Sequence, residues 1–177
     1  VAYFASQYVG GDSHQYLVLN GKESEPLDDT NRTIYFTPDS KKLMFGMELN
    51  KKEIFRTVTI DGSQPPVDLV LKALTSNFVF FGPGGQMGYF ASEGEDMSYL
   101  YYDGKDDGLR YDEIKNDIAF SADGKHIAYI AEPGSFDDVA VNNGKPSKTY
   151  GGFDGDIIPG TLALSPDGSR SAYSVKK

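Results

Sequence analysis

Short apolar runs separated by tight-turn residues recur along the whole chain. Four of these runs end at an Asn-Gly or Asp-Gly pair, namely Asn20-Gly21, Asp61-Gly62, Asp103-Gly104 and Asn143-Gly144. The pairs begin at positions 20, 61, 103 and 143, so the unit repeats every 40 to 42 residues. A second marker, an apolar residue that leads into a turn, recurs at a similar interval of 39 to 45 residues, at residues 36–39, 81–84, 120–123 and 164–167. A repeat of about 40 residues built only of strands and turns is typical of β-propeller blades.

Each repeat predicts four strands. The first strand ends at the second marker, and the second strand follows directly, as in Ile127-Ala128-Tyr129. The third strand ends at the Asn-Gly or Asp-Gly pair, because these residues accept the positive φ angles of a type I′ hairpin. The fourth strand is the least regular, and residues 67–74 fit either an irregular fourth strand or a short helix. Apolar residues on both faces of the second strand indicate a sheet packed between two neighbours.

The fold class predicted from this pattern is all-β: a β-propeller of four-stranded antiparallel blades with about four repeats. No linker or low-complexity tract interrupts residues 1–177, so we predict a single domain. Residues 1–5 and 171–175 both match a second strand, which predicts three complete blades flanked by partial ones. We expect a fragment of a larger propeller, a half-ring completed by a second copy of the chain, or a small closed ring. Aromatic residues at one repeated position predict the core, namely Phe45, Tyr89, Tyr129 and Tyr173.

Composition excludes several kinds of function. The 177 residues carry a formal net charge of −9 and contain no cysteine. Nucleic-acid binding is disfavoured, because contacts to phosphate need clustered Lys and Arg. Cysteine-dependent catalysis, disulfides and Cys-ligated zinc are ruled out. No apolar run approaches the roughly 20 residues of a membrane-spanning helix, so we expect no membrane insertion. We expect no cofactor.

Candidate catalytic and metal-binding residues are few. The chain has no Gly-x-Ser-x-Gly motif, and its two histidines, His14 and His126, are far apart. His126 directly follows a repeated turn, so we interpret it as an exposed surface residue, whereas His14 lies in a polar loop and stays a candidate for ligand binding. Calcium is the better metal candidate because its ligands are oxygens. The alternative calcium site that we consider is the acidic turn with Asp103, Asp106 and Asp107, although a plain solvated turn explains it better.

The repeat resembles the WD40-like (PD40) propeller repeat of bacterial TolB-type proteins. The residues that carry this resemblance are Phe120-Ser-Ala-Asp-Gly-Lys-His-Ile-Ala-Tyr129 and Leu164-Ser-Pro-Asp-Gly-Ser-Arg-Ser-Ala-Tyr173, with Asn143-Gly144 between them. The resemblance covers nearly the whole chain and implies a propeller fold and an extracytoplasmic bacterial location. It implies no catalytic residue, because the repeated positions are turn and core residues.

The connections that differ between repeats predict the functional face. The turns between strands one and two, and between strands three and four, are alike in every repeat, so we interpret that rim as scaffold. The other connections vary and are rich in acidic residues, and variable loops on a rigid scaffold are where binding usually occurs. The predicted ligand-binding residues are Asp12, His14, Asp28, Asp29, Arg32, Glu93, Glu95, Asp96, Glu132, Asp137, Asp154 and Asp156.

These observations predict a non-catalytic scaffold that binds a protein, a peptide or a small ligand through this acidic face. Two alternatives stay open. One is the accessory propeller of a prolyl-oligopeptidase-like hydrolase whose catalytic domain lies elsewhere. The other is a glycan-active enzyme that uses two facing carboxylates. The acidity can also serve solubility alone.

Overall fold

A computed structural model of the chain describes residues 1–27, 30–49, 52–70, 74–93, 97–134, 137–152 and 155–176. These residues form strands and turns and contain no α-helix, so the all-β prediction is confirmed. The chain divides into two compact units, Val1–Lys72 and Ala73–Lys177. The single domain that we predict across residues 1–177 stays a prediction.

The first unit contains two antiparallel sheets. The strands of the first sheet are β1 (Ala2–Val9), β2 (Asp12–Leu19) and β3 (Lys22–Glu23). The strands of the second sheet are β4 (Thr30–Phe36), β5 (Lys42–Leu49), β6 (Lys52–Thr59) and β7 (Val67–Leu69). Within each sheet every strand pairs with the next one in the sequence, and β7 pairs with β6 through residues 67–69. The irregular stretch at residues 67–74 therefore begins as a fourth strand.

The second unit contains two four-stranded sheets and two short strand pairs. The first sheet has β8 (Leu74–Phe81), β9 (Met87–Glu93), β10 (Met97–Tyr102) and β11 (Lys105–Asp106). The second has β12 (Glu113–Phe120), β13 (Ile127–Gly134), β14 (Asp137–Asn142) and β15 (Lys145–Pro146). The remaining strands are β16 (Asp156–Ile157), β17 (Ala163–Leu164), β18 (Ser171–Ala172) and β19 (Val175–Lys176). Strand β16 pairs with β19, and β17 pairs with β18.

The first strand of each four-stranded sheet carries a wide bulge. In β12 the register shifts between Ile114 and Ile118, and in β4 it shifts between Thr30 and Ile34. Strands β16 and β17 correspond to the two halves of one such bulged first strand, with more residues between the halves. Their partners β19 and β18 correspond to the second strand, so β16–β19 are the first two strands of a further blade. Because a bulge leaves residues outside the ladder, it presents their side chains away from the sheet.

Both faces of the sheet β12–β15 are buried, as the sequence pattern predicted. On one face Tyr129 packs with Val139 and with residues of the sheet β8–β11. On the other face Ile130 and Ala140 pack against Ile157 of β16. The repeated aromatic position confirms the predicted core: Phe45, Tyr89 and Tyr129 are at most 2% exposed, while Tyr173 is half-buried beside the Ile130 cluster.

The Asn-Gly and Asp-Gly pairs close their hairpins in two ways. Both residues have positive φ at three of the pairs, which confirms the predicted type I′ turn at Asn20-Gly21, Asp103-Gly104 and Asn143-Gly144. The prediction is wrong at the fourth pair, where Gly62 has a positive φ of 69° but Asp61 does not. The connection between β6 and β7 is longer there, and the Asp61 carboxylate accepts a hydrogen bond from the backbone N–H of Ser63 at 2.9 Å. The carboxylate thereby stabilises the longer loop.

A hydroxyl and a carboxylate hold the turn between the first and second strands. The Ser121 hydroxyl accepts the backbone N–H of His126 at 3.0 Å and donates to Asp123 at 2.8 Å. Asp123 also accepts the backbone N–H of Lys125 at 3.0 Å. Thr37 with Asp39, and Ser165 with Asp167, repeat this arrangement. Hydrogen bonds from Ser165 and Ser169 lower the pKa of Asp167 to about 2, because they favour its ionised form.

Ser40 occupies the left-handed position of this turn, with φ of 56°. The corresponding residues in the other repeats are Gly85, Gly124 and Gly168. Left-handed φ costs an L-residue about 1–2 kcal/mol, and glycine costs about 0.5–1 kcal/mol in chain entropy.

We expect Ser40→Gly to raise the free energy of unfolding by about 0.5–1 kcal/mol in urea denaturation. The matched control is Gly85→Ser, whose added Cβ meets no atom within 4 Å, so it isolates the backbone effect and should lower stability. Equal stability of all three proteins would contradict this explanation.

Asp107 occupies a position that serine holds in two other repeats. The hydroxyls of Ser24 and Ser147 accept the backbone N–H groups of Leu17 and Ala140, both at 3.1 Å. The Asp107 carboxylate instead accepts the hydroxyl of Tyr129 from the neighbouring sheet. Burial raises the pKa of Asp107 despite this bond. The folded protein therefore binds a proton at this carboxyl more readily than the unfolded chain does.

This raised pKa predicts a pH-dependent contribution to stability. The folded state binds the proton more tightly, so the contribution of Asp107 is largest at low pH and falls as pH rises through its folded pKa. Asp107→Asn keeps a neutral hydrogen-bonding side chain at all pH values. We expect the stability of Asp107→Asn relative to the native protein to increase from about pH 4 towards about pH 7 in urea denaturation, and a constant difference would refute the prediction. Asp103→Asn is the control, since Asn20 and Asn143 fill the same turn position.

Candidate functional site

The two ends of the strands differ in what holds them. In an antiparallel blade, the turns after strands one and three leave at one end, and the other connections leave at the opposite end. In the second unit, hydrogen bonds between neighbouring sheets hold the end that carries the turns after strands one and three. Ala122 N–H donates to Pro166 O at 2.9 Å, and the Tyr102 hydroxyl donates to Gly124 O at 2.6 Å. His126 also packs against the turn at Gly168. This end, the scaffold rim, is structural, and His126 is a half-buried packing residue rather than an exposed one.

Several of the predicted ligand-binding residues lie outside the described residues: Asp28, Asp29, Glu95, Asp96 and Asp154. The backbone of Arg32 lies in β4, and its side chain is also outside what the structure describes. In the first unit, Asp12 and His14 lie at the start of β2, where they pair with Val9 and Gln7 of β1. Asp12 is exposed and His14 is half-buried.

The remaining predicted residues lie in the second unit, at the end opposite the scaffold rim, which we call the variable rim. Glu93 ends β9, Asp137 begins β14, Glu132 lies late in β13 and Asp156 begins β16. Glu93 and Asp156 are exposed, whereas Glu132 and Asp137 are half-buried. The sequence therefore located acidic residues on this rim but did not show which basic residues accompany them.

Arg110 neutralises part of the acidity of the variable rim. Its guanidinium contacts Glu93 at 2.5 Å and Asp106 at 2.8 Å. The same guanidinium lies 4.1 Å from the centre of the Tyr99 ring, a cation–π contact. These hydrogen bonds lower the pKa of Asp106 and raise the pKa of Arg110, so both groups are charged at neutral pH. Glu93 is therefore one side of an ion pair rather than an isolated charge.

A second ion cluster lies between β12 and β14. Lys115 contacts Glu132 at 2.8 Å and Asp138 at 2.6 Å. Burial opposes the charge of Lys115, but its hydrogen bonds to the two carboxylates outweigh burial and raise its pKa. Asp138 is only 5% exposed. The sequence did not single out Asp138 as a site residue, although its alternation with Ala140 and Asn142 would place it on the same buried face as Ala140.

A cleft of about 240 Å³ opens beside this cluster. Its polar wall is the bulge of β12, with Lys115 and Asp117, and its apolar wall includes Ile130, Ile157 and Pro159. The backbone N–H of Gly160 donates to Asp117 at 2.8 Å and so ties the two walls together. The arrangement can hold a small group that has both an apolar stem and a polar end.

The three residues of the alternative calcium site do not converge on one point. Asp106 binds Arg110, Asp107 binds Tyr129, and Asp103 lies in the type I′ turn. Within the part of the chain that the structure describes, no three histidine or acidic side chains are grouped so that they could hold a metal ion. The calcium site stays a prediction that these contacts do not favour.

No helix among the described residues is long and apolar enough to cross a membrane.

Substitution of Lys115 tests how much the buried ion cluster contributes to the free energy of unfolding. Lys115→Met removes the cation and leaves the buried Asp138 carboxylate without its ion pair, so we expect a loss of about 1–3 kcal/mol in the free energy of unfolding. The double variant Lys115→Met/Asp138→Asn should recover much of that loss, because no charge is then left buried. Lys125→Met is the matched control: its Nζ lies 3.6 Å from Asp123, and both side chains are at least half exposed, so we expect almost no change. Equal losses for Lys115→Met and Lys125→Met would contradict the assignment.

Comparison with solved structures places this geometry in a known fold. TolB from Acinetobacter baumannii superposes on 99% of this chain with a TM-score of 0.51 and 18% sequence identity. The chain has a β-propeller fold. It spans 46% of the length of that TolB chain. No family model matches the sequence, and no curated protein matches it.

Two weaker structural similarities belong to the same comparison. A chain of a nidogen/laminin complex gives a TM-score of 0.43 at 12% identity, with 99% of this chain and 68% of that chain covered. A protein of unknown function from Desulfotomaculum acetoxidans DSM 771 gives 0.40 at 13% identity, with 93% and 56% covered. These two similarities carry no argument, and at 18% identity the TolB comparison shows the fold alone.

Proposed function

We propose that this chain is a non-catalytic β-propeller module that binds a protein or peptide through the variable rim of its second unit. The observation that carries the proposal is the contrast between the two ends of the strands. Polar groups on the scaffold rim form contacts between sheets, such as the hydrogen bond from Tyr102 to Gly124. The variable rim presents charged side chains and a cleft, which is how loops on a rigid scaffold provide binding sites.

The charge of the variable rim selects the class of partner. Asp137 and Asp156 add negative charge beside a cluster in which Lys115 faces both Glu132 and Asp138. A surface with excess negative charge attracts cationic segments and speeds their association at low salt. A basic peptide segment therefore fits this rim better than an acidic one. The resemblance to TolB-type repeats supports an extracytoplasmic location for this interaction.

Fluorescence anisotropy with two labelled probe peptides tests this function. The first probe is an octapeptide of alternating lysine and serine, and the second has glutamate in place of lysine. We expect the lysine probe to bind, to weaken between about 0.02 M and about 0.15 M salt, and to bind about two- to tenfold more weakly to Asp137→Asn/Asp156→Asn. The glutamate probe should not bind.

The control for this experiment removes two acidic charges elsewhere. Glu23→Gln/Asp103→Asn changes the net charge by the same amount at exposed positions of β3 and the β10–β11 turn. If this control weakens the lysine probe as much as Asp137→Asn/Asp156→Asn does, binding follows overall charge and the proposed face is rejected. Equal binding of the two probes would also reject it.

A further inference from the structure

The cleft beside Lys115 is preformed. Its outer wall is the segment 157–160, which hydrogen bonds hold at several points. Ile158 N–H donates to Ser174 O at 2.9 Å, and the Thr161 hydroxyl donates to Ile158 O at 2.7 Å. On the inner side, Gly160 N–H donates to Asp117 at 2.8 Å. A wall that is already ordered lowers the entropic cost of binding.

The size of the cleft limits what it can hold. A volume of about 240 Å³ corresponds to roughly eight water molecules at about 30 Å³ each. This is below the roughly 300–1,000 Å³ of sites for drug-sized ligands. It is large enough for one amino-acid side chain of five to seven heavy atoms, about the number in lysine or arginine.

The electrostatics of the cleft favour a cation. Among the described residues, Lys115 is the only basic one that lines the cleft, and two carboxylates already bind that ammonium at 2.6 and 2.8 Å. Asp117 adds a third carboxylate, directly on the cleft wall. One ammonium facing three carboxylates leaves an excess of negative charge, and the burial of Asp138 reduces the screening of its charge by water. An anion would be repelled, and a neutral group would gain nothing from this field.

The opposite wall favours an aliphatic stem. Ile130 and Ile157 are 2% and 3% exposed, and Pro159 completes the apolar surface. The four-carbon stem of lysine, or the shorter stem of arginine, can cover apolar surface while the charged end reaches a carboxylate. An occupant with an apolar stem and a cationic end matches both walls.

We propose that this cleft binds the side chain of a single lysine or arginine of a partner peptide, with the stem against Ile130 and Ile157 and the cationic end at Asp117. The inference rests on the proposed function, because it names the residue of the partner that the variable rim recognises. It makes the cleft the anchor of the interface, while Asp137 and Asp156 attract the rest of the segment.

Isoleucine-methyl NMR of the whole chain tests the anchor with single amino-acid probes. The probes are N-acetyl-lysine amide, N-acetyl-norleucine amide, which lacks only the ammonium, and N-acetyl-glutamate amide. We expect the lysine probe to shift the methyl signals of Ile130 and Ile157 saturably, and the norleucine probe to bind at least about tenfold more weakly. Glutamate should cause no shift at these methyls.

Asp117→Asn supplies the matched variant. Its amide oxygen can still accept the Gly160 N–H, so the wall keeps its shape while the charge is lost. We expect it to weaken the lysine probe about three- to tenfold, whereas Asp103→Asn on the scaffold rim leaves binding unchanged. The signals of Ile130 and Ile157 in the free variant report whether the cleft is intact.

Each outcome decides the inference. Equal shifts from lysine and norleucine would show a purely apolar cleft, and stronger shifts from glutamate would show an anion site; either result overturns it. The absence of any shift at Ile130 and Ile157 overturns it as well. If the lysine–serine octapeptide binds but the lysine probe does not reach these methyls, the cleft assignment falls and the proposed function stands. If the lysine probe binds here but the octapeptide does not, the proposed function falls and the cleft assignment stands.

Discussion

Each sheet in this chain depends on a neighbouring sheet to cover an apolar face, and this dependence explains most of the repeat. In β13 the residues 127–131 are all at most 7% exposed, although successive side chains point to opposite faces. Tyr129 is covered from the β8–β11 side, and Ile130 is covered by Ile157. A single four-stranded sheet of this composition would leave both of these faces in water. The central strand of this sheet therefore carries aromatic or aliphatic residues on both faces.

The parts of the fold that repeat were predictable from sequence, because each repeat provides an independent sample of the same local chemistry. Four occurrences of a turn pair with apolar runs before it were sufficient to give the strand order and the type I′ turns at Asn20, Asp103 and Asn143. The type I′ prediction was wrong at Asp61, because the same dipeptide fits both a type I′ turn and part of a longer loop. The choice depends on the length of the connection to β7, which the dipeptide does not contain.

The candidate site was predictable only in part, because its contacts join residues that are distant in sequence. The acidic residues Glu93, Glu132, Asp137 and Asp156 could be assigned to one rim from the positions of their strands. Their basic partners could not: Lys115 of β12 reaches Glu132 in β13 and Asp138 in β14, and Arg110 reaches Glu93 over 17 positions. The sequence also gave no sign that Asp138 is buried until its alternation with Ala140 is read together with the pairing of β13 and β14. A repeated motif shows scaffold positions, whereas side chains that depart from the repeat carry the individual features.

Two departures from the repeat illustrate how a buried charge is accommodated between sheets. Asp107 replaces a serine and is paired only with neutral donors, the Tyr129 hydroxyl and the Leu109 backbone N–H, so burial dominates and its pKa rises. Asp138 is more deeply buried but faces the ammonium of Lys115, which offsets the cost of desolvation through a charged hydrogen bond. The first solution predicts that the contribution of this contact to stability depends on pH. The second solution leaves the Lys115–Asp138 ion pair at the edge of a cleft, where its electric field acts on a bound group. The same requirement, that a buried carboxylate has a partner, thus produces a structural contact at one interface between sheets and a candidate binding site at the next.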